Sequence, residues 1–215
     1  MNILTFLSGI LGSLVAAIIC AIIAFLFKRK IRNRISKWLL AITNVGAISV
    51  YKSPDDTNYK EDLKSEIEKA KEIRVFTSRG RFLEENPFLK CFSNNRCVVQ
   101  ILLPNTEIKN PNWTKSHYEM LYGEEKYDYK IIRDLIESKI DVLRKTHDKI
   151  EIRKYHSVLM GRIIITDNVV FFTPYCLDNT HPNEASIYMY SYKSDMYRWC
   201  QWMFKQIWQN SDEII

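Results

Sequence analysis

Arg162-Ile163-Ile164-Ile165-Thr166-Asp167-Asn168-Val169-Val170-Phe171-Phe172-Thr173 sets two apolar, β-branched runs around a short polar break. Ile, Val, Phe and Thr suit a pleated sheet surface, and Asp-Asn suits a tight reversal. The stretch predicts a hairpin with strands 162–166 and 169–173, continuing into Pro174-Tyr175. Working outward, Ile150–Tyr155 reads as a strand, and Cys97–Leu103 is an apolar run stopped by Pro104, the pattern of a buried strand. Ile73–Thr77 and Ala47–Tyr51 read as further strands upstream, and Ser186–Tyr192 alternates as one downstream.

Helical stretches lie between these strands. Tyr59–Lys71 sets Leu63, Ile67 and Ala70 on one face, and Phe82–Phe92 reads as a helix interrupted at Pro87. Tyr118–Lys145 reads as one long helix or a pair broken near Gly123. Met196–Gln209 reads as an aromatic-rich helix carrying Trp199, Trp202, Phe204 and Trp208. Residues 105–113, rich in Asn and Pro, read as a loop. Alternating strands and helices predict an α/β domain with helices packed on a mixed sheet.

Ahead of this domain, Ile3–Phe27 carries no charge. At about 1.5 Å per residue it reaches roughly 37 Å as a helix, enough for a hydrocarbon core of about 30 Å. No basic region precedes it and no small-x-small site ends it, which argues against a secretory signal. Lys28, Arg29, Lys30, Arg32, Arg34 and Lys37 follow as a basic collar. The positive-inside rule places the C-terminal bulk in the cytoplasm and the N-terminus outside. The expected organisation is a transmembrane helix over 1–27, a basic juxtamembrane helix over 28–44 and a cytoplasmic domain over 45–215. Gly9, Ser13, Ala17 and Ala21 form a small-residue row that suits helix self-association; the bland alternative is ordinary membrane-helix composition.

The chain has 215 residues and a formal net charge of +6. Six of its 31 cations fall in 28–37, leaving 25 against 25 acidic side chains elsewhere. The excess is therefore juxtamembrane and suits anionic headgroups, at about 1 kcal/mol per cation. A nucleic-acid role argued from isoelectric point alone fails, and no direct double-stranded nucleic acid binding is expected. Five cysteines (Cys20, Cys91, Cys97, Cys176, Cys200) without a CxxC pair read as reduced packing thiols in a cytoplasmic domain. His117, His147, His156 and His181 have no metal-ligand spacing, so neither a metal nor another cofactor is expected.

Ser78-Arg79-Gly80-Arg81 leaves the predicted strand Ile73–Thr77 at its carboxyl end, where open α/β sheets usually bind ligands. Gly80 amides, the Ser78 hydroxyl and two guanidiniums suit a phosphate; an ordinary polar turn is the other reading. The tyrosines of 118–129 and 188–197 either stack bases or pack, and packing is favoured.

The stretch Arg162 to Phe171 resembles the core motif of the phospholipase D superfamily, H-x-K-x4-D followed by a hydrophobic strand. Aligned on Asp167, the lysine position falls at Arg162 and the histidine position at Met160. The order of the segments 46–51, 73–81 and 97–104 and the final aromatic helix resemble single-copy relatives, so the resemblance covers about 45–208. It implies a histidine that attacks phosphorus, which the Met160 thioether cannot replace. Arg162 keeps a phosphate-holding role, and Asp167 loses the residue it would orient. His156, four residues before Met160, is the alternative nucleophile or a plain loop residue.

One anchor plus one small ligand-binding domain resembles membrane effectors of prokaryotic antiviral defence. That likeness implies a single-pass inner-membrane protein without catalytic chemistry. It would bind a phosphate-bearing ligand, such as a cyclic nucleotide signal, or a protein partner, then oligomerise and disrupt the membrane. The expected binding residues are Ser78, Arg79, Gly80, Arg81, Arg162 and Asp167. The competing expectation is a membrane-bound phosphodiesterase or nuclease that uses His156.

Overall fold

The computed structural model describes residues 46–78, 80–85, 87–88, 90, 97–105, 129–146, 150–157, 160–175 and 185–213. In chain order these are β1 (Ala47–Tyr51), α1 (Thr57–Lys69), β2 (Glu72–Phe76), a 3-10 turn (Arg81–Glu84), β3 (Val98–Pro104), α2 (Tyr129–Thr146), β4 (Ile150–Tyr155), β5 (Gly161–Ile165), β6 (Val169–Pro174), β7 (Ile187–Ser191), α3 (Asp195–Gln209) and β8 (Asp212–Glu213). The anchor 3–27, its small-residue row and the collar 28–37 lie outside the described residues, as do His117, His147 and His181. Among the described residues no helix is long and apolar enough to cross a membrane.

All the described strands form one mixed sheet in the order β1-β7-β6-β5-β2-β3-β4-β8. The hairpin is its hinge. β5 pairs antiparallel with β6 on one side (Ile163 opposite Phe172) and antiparallel with β2 on the other (Phe76 opposite Ile163). β2, β3 and β4 then run parallel. The fold is therefore α/β with a mixed sheet and flanking helices.

Strand alternation splits the core into two layers. Ile73, Val75, Val99, Ile101, Ile164 and Phe171 face α1 and α2, where Leu63, Ile67, Ile136 and Ile140 meet them. Phe76, Leu102, Ile163, Ile165 and Val170 face α3, which buries Tyr197, Cys200, Met203 and Phe204. Such two-sided burial explains why these strands read as near-continuous apolar runs. The Asp56 side chain accepts from the Asn58 amide and starts α1, whose Tyr59, Leu63 and Ile67 repeat every fourth residue on the buried face. Ser194 caps α3 by accepting from the Tyr197 amide.

Two expectations change. The helix read over 82–92 with an interruption at Pro87 begins as a 3-10 turn (Arg81–Glu84) that ends where Glu85 turns extended (φ −102°, ψ 155°), two residues ahead of Pro87, and helical backbone resumes at Phe88 and Lys90. Proline removes a donor and disfavours helical backbone just before it, which accounts for the stop. The two-residue strand β8 lacked any sequence signal: acidic residues have poor strand propensity. It pairs with β4 through Lys154 opposite Asp212 and Arg153 opposite Glu213.

Candidate functional site

The carboxyl ends of β2, β3 and β4 and the start of β5 share one edge of the sheet. Continuing past Phe76 opposite Ile163, the register brings Thr77 and Ser78 alongside Arg162 and Gly161. Thr77 and Ser78 are buried, and the Thr77 amide still donates to Leu102 O, so the loop leaves β2 tightly packed. Gly80 then takes a left-handed backbone (φ +64°), and its carbonyl accepts from the Leu83 amide to begin the 3-10 turn. A Cβ there would stand 3.0 Å from Leu83 Cδ1, so glycine serves both the turn and the close approach.

That turn carries Phe82 under Arg162. The Arg162 Cζ lies 5.1 Å from the Phe82 ring centroid, the geometry in which a guanidinium is attracted to an aromatic face. One Nη2 hydrogen reaches Thr173 Oγ1 at 3.5 Å, across the hairpin. The Arg162 Nε is buried and has no hydrogen-bond partner among the described residues. Among the described residues no carboxylate lies within ion-pair distance of Arg162. A half-buried cation without a counter-charge is costly, because desolvation is not offset by a partner. The field is felt next door: burial pushes the Tyr59 hydroxyl pKa up, and the Arg162 charge pulls it back.

The structure thus brings Arg162, Ser78, Gly80 and the turn containing Arg81 to one edge. Arg79 and the Arg81 side chain lie outside what is described. Met160 stands exposed just before β5, at 43%, and its carbonyl accepts from the Tyr175 amide.

Asp167 is not brought to Arg162, which corrects its expected grouping with the loop. It occupies the β5–β6 turn, five residues along an extended strand and so about 16 Å away. There its Oδ2 accepts from the Lys71 amide at 2.7 Å, pinning the hairpin to the residue before β2. A polar pocket of about 150 Å³ opens beside it, lined by Glu72, Arg74, Thr166, Tyr197 and Gln201 among others. Arg74 ion-pairs with Glu72 at 2.6 Å, Tyr197 donates to Thr166 O at 2.7 Å, and Gln201 donates to the Tyr197 hydroxyl. These groups satisfy one another, so the pocket is structural in character.

His156 follows β4 on the same edge as Arg162 but three strands away. Its Nε2 lies 2.6 Å from Asp212 Oδ2, and the Asn105 amide donates to the same oxygen at 2.8 Å. An ionised carboxylate only accepts, so Nε2 carries the proton and donates. Asn105 Nδ2, 3.4 Å from Nε2, then faces a donor and does not bond to it. The hydrogen bond from His156, aided by Asn105 and the Lys154 charge, holds the Asp212 carboxyl below its ordinary range. Among the described residues, no three His, Cys, Asp or Glu side chains converge as a metal site.

Sequence reasoning missed Phe82, Thr173, Asn105 and Asp212. Thr173 was recoverable, since a hairpin turning at Asp167-Asn168 pairs it with Arg162. Asn105 and Asp212 meet at a separation of 107 residues, which no local pattern signals.

No protein-family model and no curated protein matches the sequence. Among solved structures, the chain is similar to TrmBL2, an archaeal chromatin protein described as showing a novel mode of DNA binding. The two share 18% identity with a TM-score of 0.50, over 96% of this chain and 71% of that one. NucT from Helicobacter pylori is similar at 13% identity and TM-score 0.48, over 77% of this chain and 98% of that chain. Nuc from Salmonella typhimurium, a phospholipase D family member, is similar at 12% and 0.43, over 77% and 97%. At such identities the likeness to TrmBL2 concerns the fold alone.

Proposed function

We propose that the domain is a non-catalytic binder of a phosphate-bearing ligand, centred on Arg162 at the carboxyl ends of the parallel strands. The observation that carries this reading is a half-buried guanidinium that, among the described residues, has no carboxylate partner and an unpartnered Nε. A phosphate oxygen would supply both the missing acceptor and the missing charge, through a bond stronger than a neutral one. Ser78 and Gly80 lie at the same strand ends as Arg162, and the proposed site adds the guanidiniums of Arg79 and Arg81 from the same loop. Met160 supports binding without chemistry, because a thioether can neither attack phosphorus usefully nor shuttle a proton.

Joined to the predicted anchor at 3–27, such a domain acts as a sensor and effector at the inner membrane. Ligand binding changes how the membrane helices associate through rows such as Gly9 to Ala21, and the assembly disrupts the bilayer during antiviral defence. Binding and association must then strengthen each other by the same coupling energy. The test is the oligomeric mass of the detergent-solubilised full chain with and without cyclic oligonucleotides. A rise in mass with one of them supports the reading; an unchanged mass with all of them points to a protein partner or a lipid as the trigger.

A second reading rests on His156. With Nε2–H donated to Asp212, its other nitrogen keeps a lone pair at the sheet edge, the arrangement an oriented base or nucleophile needs. Hydrolysis of phospholipid or single-stranded DNA by purified protein, lost in His156→Ala, would establish it. Intact substrates would remove it. The DNA binding described for TrmBL2 belongs to that protein; here cations and acids balance beyond residue 37, and the proposed ligand is a small phosphodiester.

A further inference from the structure

We propose that the outer face of α3 is a membrane-docking surface that rests on anionic phospholipid headgroups. Trp202 is 60% exposed and Trp199 38%, on a helix whose other side is fully packed. With 3.6 residues per turn, Trp202 falls at the centre of the outward arc, in line with Asp195 and Gln209 two turns either side, and Trp199, Arg198, Lys205 and Gln206 flank it. The Trp202 indole gives up the large burial that tryptophan normally gains in a core, and Trp199, edge-on to Phe172 at 6.4 Å, keeps part of it while presenting one edge to the same arc. Tryptophan is enriched at the headgroup level of bilayers, where an apolar ring and a polar N–H are both accommodated.

The charge around this face has the matching sign. Lys193, Arg198 and Lys205 are the cations of residues 187–211, and Asp195 is the lone acid, already ion-paired to Arg198. Tyr192, 50% exposed, extends the aromatic surface past the helix start, with Lys193 Nζ 5.6 Å above its ring. Aromatic rings ringed by cations suit a negatively charged interface better than an acidic or neutral protein surface.

The position of the chain entry decides the occupant. The 45 residues outside the described domain join it at Gly46, whose carbonyl accepts from the Ser191 amide at 3.0 Å. A Cβ on Gly46 would stand 2.1 Å from Ser194 Cβ, so this backbone lies directly on the residue that caps α3. The chain therefore arrives at the Tyr192–Ser194 turn, at the near end of the aromatic face. Only eight residues separate the last collar cation, Lys37, from Gly46. Whatever their conformation, they reach at most about 30 Å, little more than the roughly 22 Å length of α3. Given the anchor, the face is held within reach of the bilayer on the side where it enters.

This inference rests on the anchor reading, and the experiment separates the two. A Gln206→Cys variant of the full chain, with Cys20, Cys91 and Cys176 replaced by Ser, is labelled with an environment-sensitive fluorophore. It is reconstituted in phosphatidylcholine vesicles with or without phosphatidylglycerol, some carrying spin-labelled lipid. Docking predicts blue-shifted emission quenched by the spin-labelled lipid, stronger with phosphatidylglycerol. Reversing Lys193 or Lys205 to Glu should weaken the docked state by about fivefold per cation lost. Unquenched emission overturns the proposal, and a blue shift that follows protein density rather than lipid assigns the face to a second copy of the chain. Alkaline carbonate extraction of the same vesicles reads the anchor independently: a retained chain with unquenched label keeps the anchor and discards the docking face.

Discussion

The Arg162 guanidinium lies over the Phe82 ring, 5.1 Å from its centroid, and this contact joins the start of the hairpin to the turn that follows β2. Neither residue is near the other in sequence, and β2 is the element that aligns them. Arg162 is held by an aromatic face and one long hydrogen bond to Thr173, with its Nε left over. Among the described residues, the arrangement positions a cation without neutralising it.

Asp167 and Arg162 should separate cleanly by mutation. Asp167→Ala removes the acceptor for the Lys71 amide and should cost about 1 kcal/mol of stability. Ligand-induced stabilisation should survive in it, because the carboxylate sits at the far end of β5. Denaturant midpoints with and without ligand check both outcomes.

The His156–Asp212 contact makes stability pH-dependent. The folded Asp212 carboxyl titrates below its unfolded range, so its contribution is present above the ordinary carboxylate pKa and is lost as pH falls through the folded value. Wild type should therefore exceed Asp212→Asn in urea midpoint at neutral pH, and the difference should close in acid. A gap that widens in acid would show the opposite sign.

Glycine replacements should differ in cost. Gly46→Ala meets both a left-handed backbone (φ +68°) and a Cβ only 2.1 Å from Ser194 Cβ. Strain and overpacking together should cost about 3 kcal/mol. Gly80→Ala meets a flexible leucine end at 3.0 Å and should cost about 1 kcal/mol. Thermal unfolding of the two variants tests the order.

Cys200 should be inert in the native chain. Burial on α3 pushes its thiol pKa up to about 12, so almost no thiolate is present near neutrality. Mass-spectrometric footprinting with a maleimide should label Cys200 only after denaturation, with no gain between pH 7 and 9.

Much of this fold is legible because its strands are buried on both faces. The runs at 73–77, 97–103, 150–155 and 162–173 carry enough β-branched and aromatic residues to be placed within a residue or two of β2 to β6. The α1 stripe is equally plain, with Tyr59, Leu63 and Ile67 at four-residue spacing. What local pattern could not reveal is set by distant pairing. The two residues of β8 are a strand only because Lys154 and Arg153 stand beside them. The site divides the same way: Arg162 and the Ser78–Arg81 loop stand out by residue type and by position at a strand end. The seat provided by Phe82 depends on the 3-10 turn that forms ahead of the Pro87 interruption, and the removal of Asp167 to the opposite edge follows from strand length.

Arg162 waits for a phosphate. The most direct test is ligand-dependent unfolding of the full chain and of Arg162→Met across a panel of cyclic oligonucleotides and inorganic pyrophosphate. Replacing a half-buried, unpaired cation by an apolar side chain of similar length should leave the ligand-free protein as stable as wild type or more so. Wild type should gain about 2.7 kcal/mol at a hundredfold excess over Kd, and the variant should gain nothing. A variant that is stabilised as much as wild type, or one that loses stability without ligand, would mark Arg162 as structural and contradict the account.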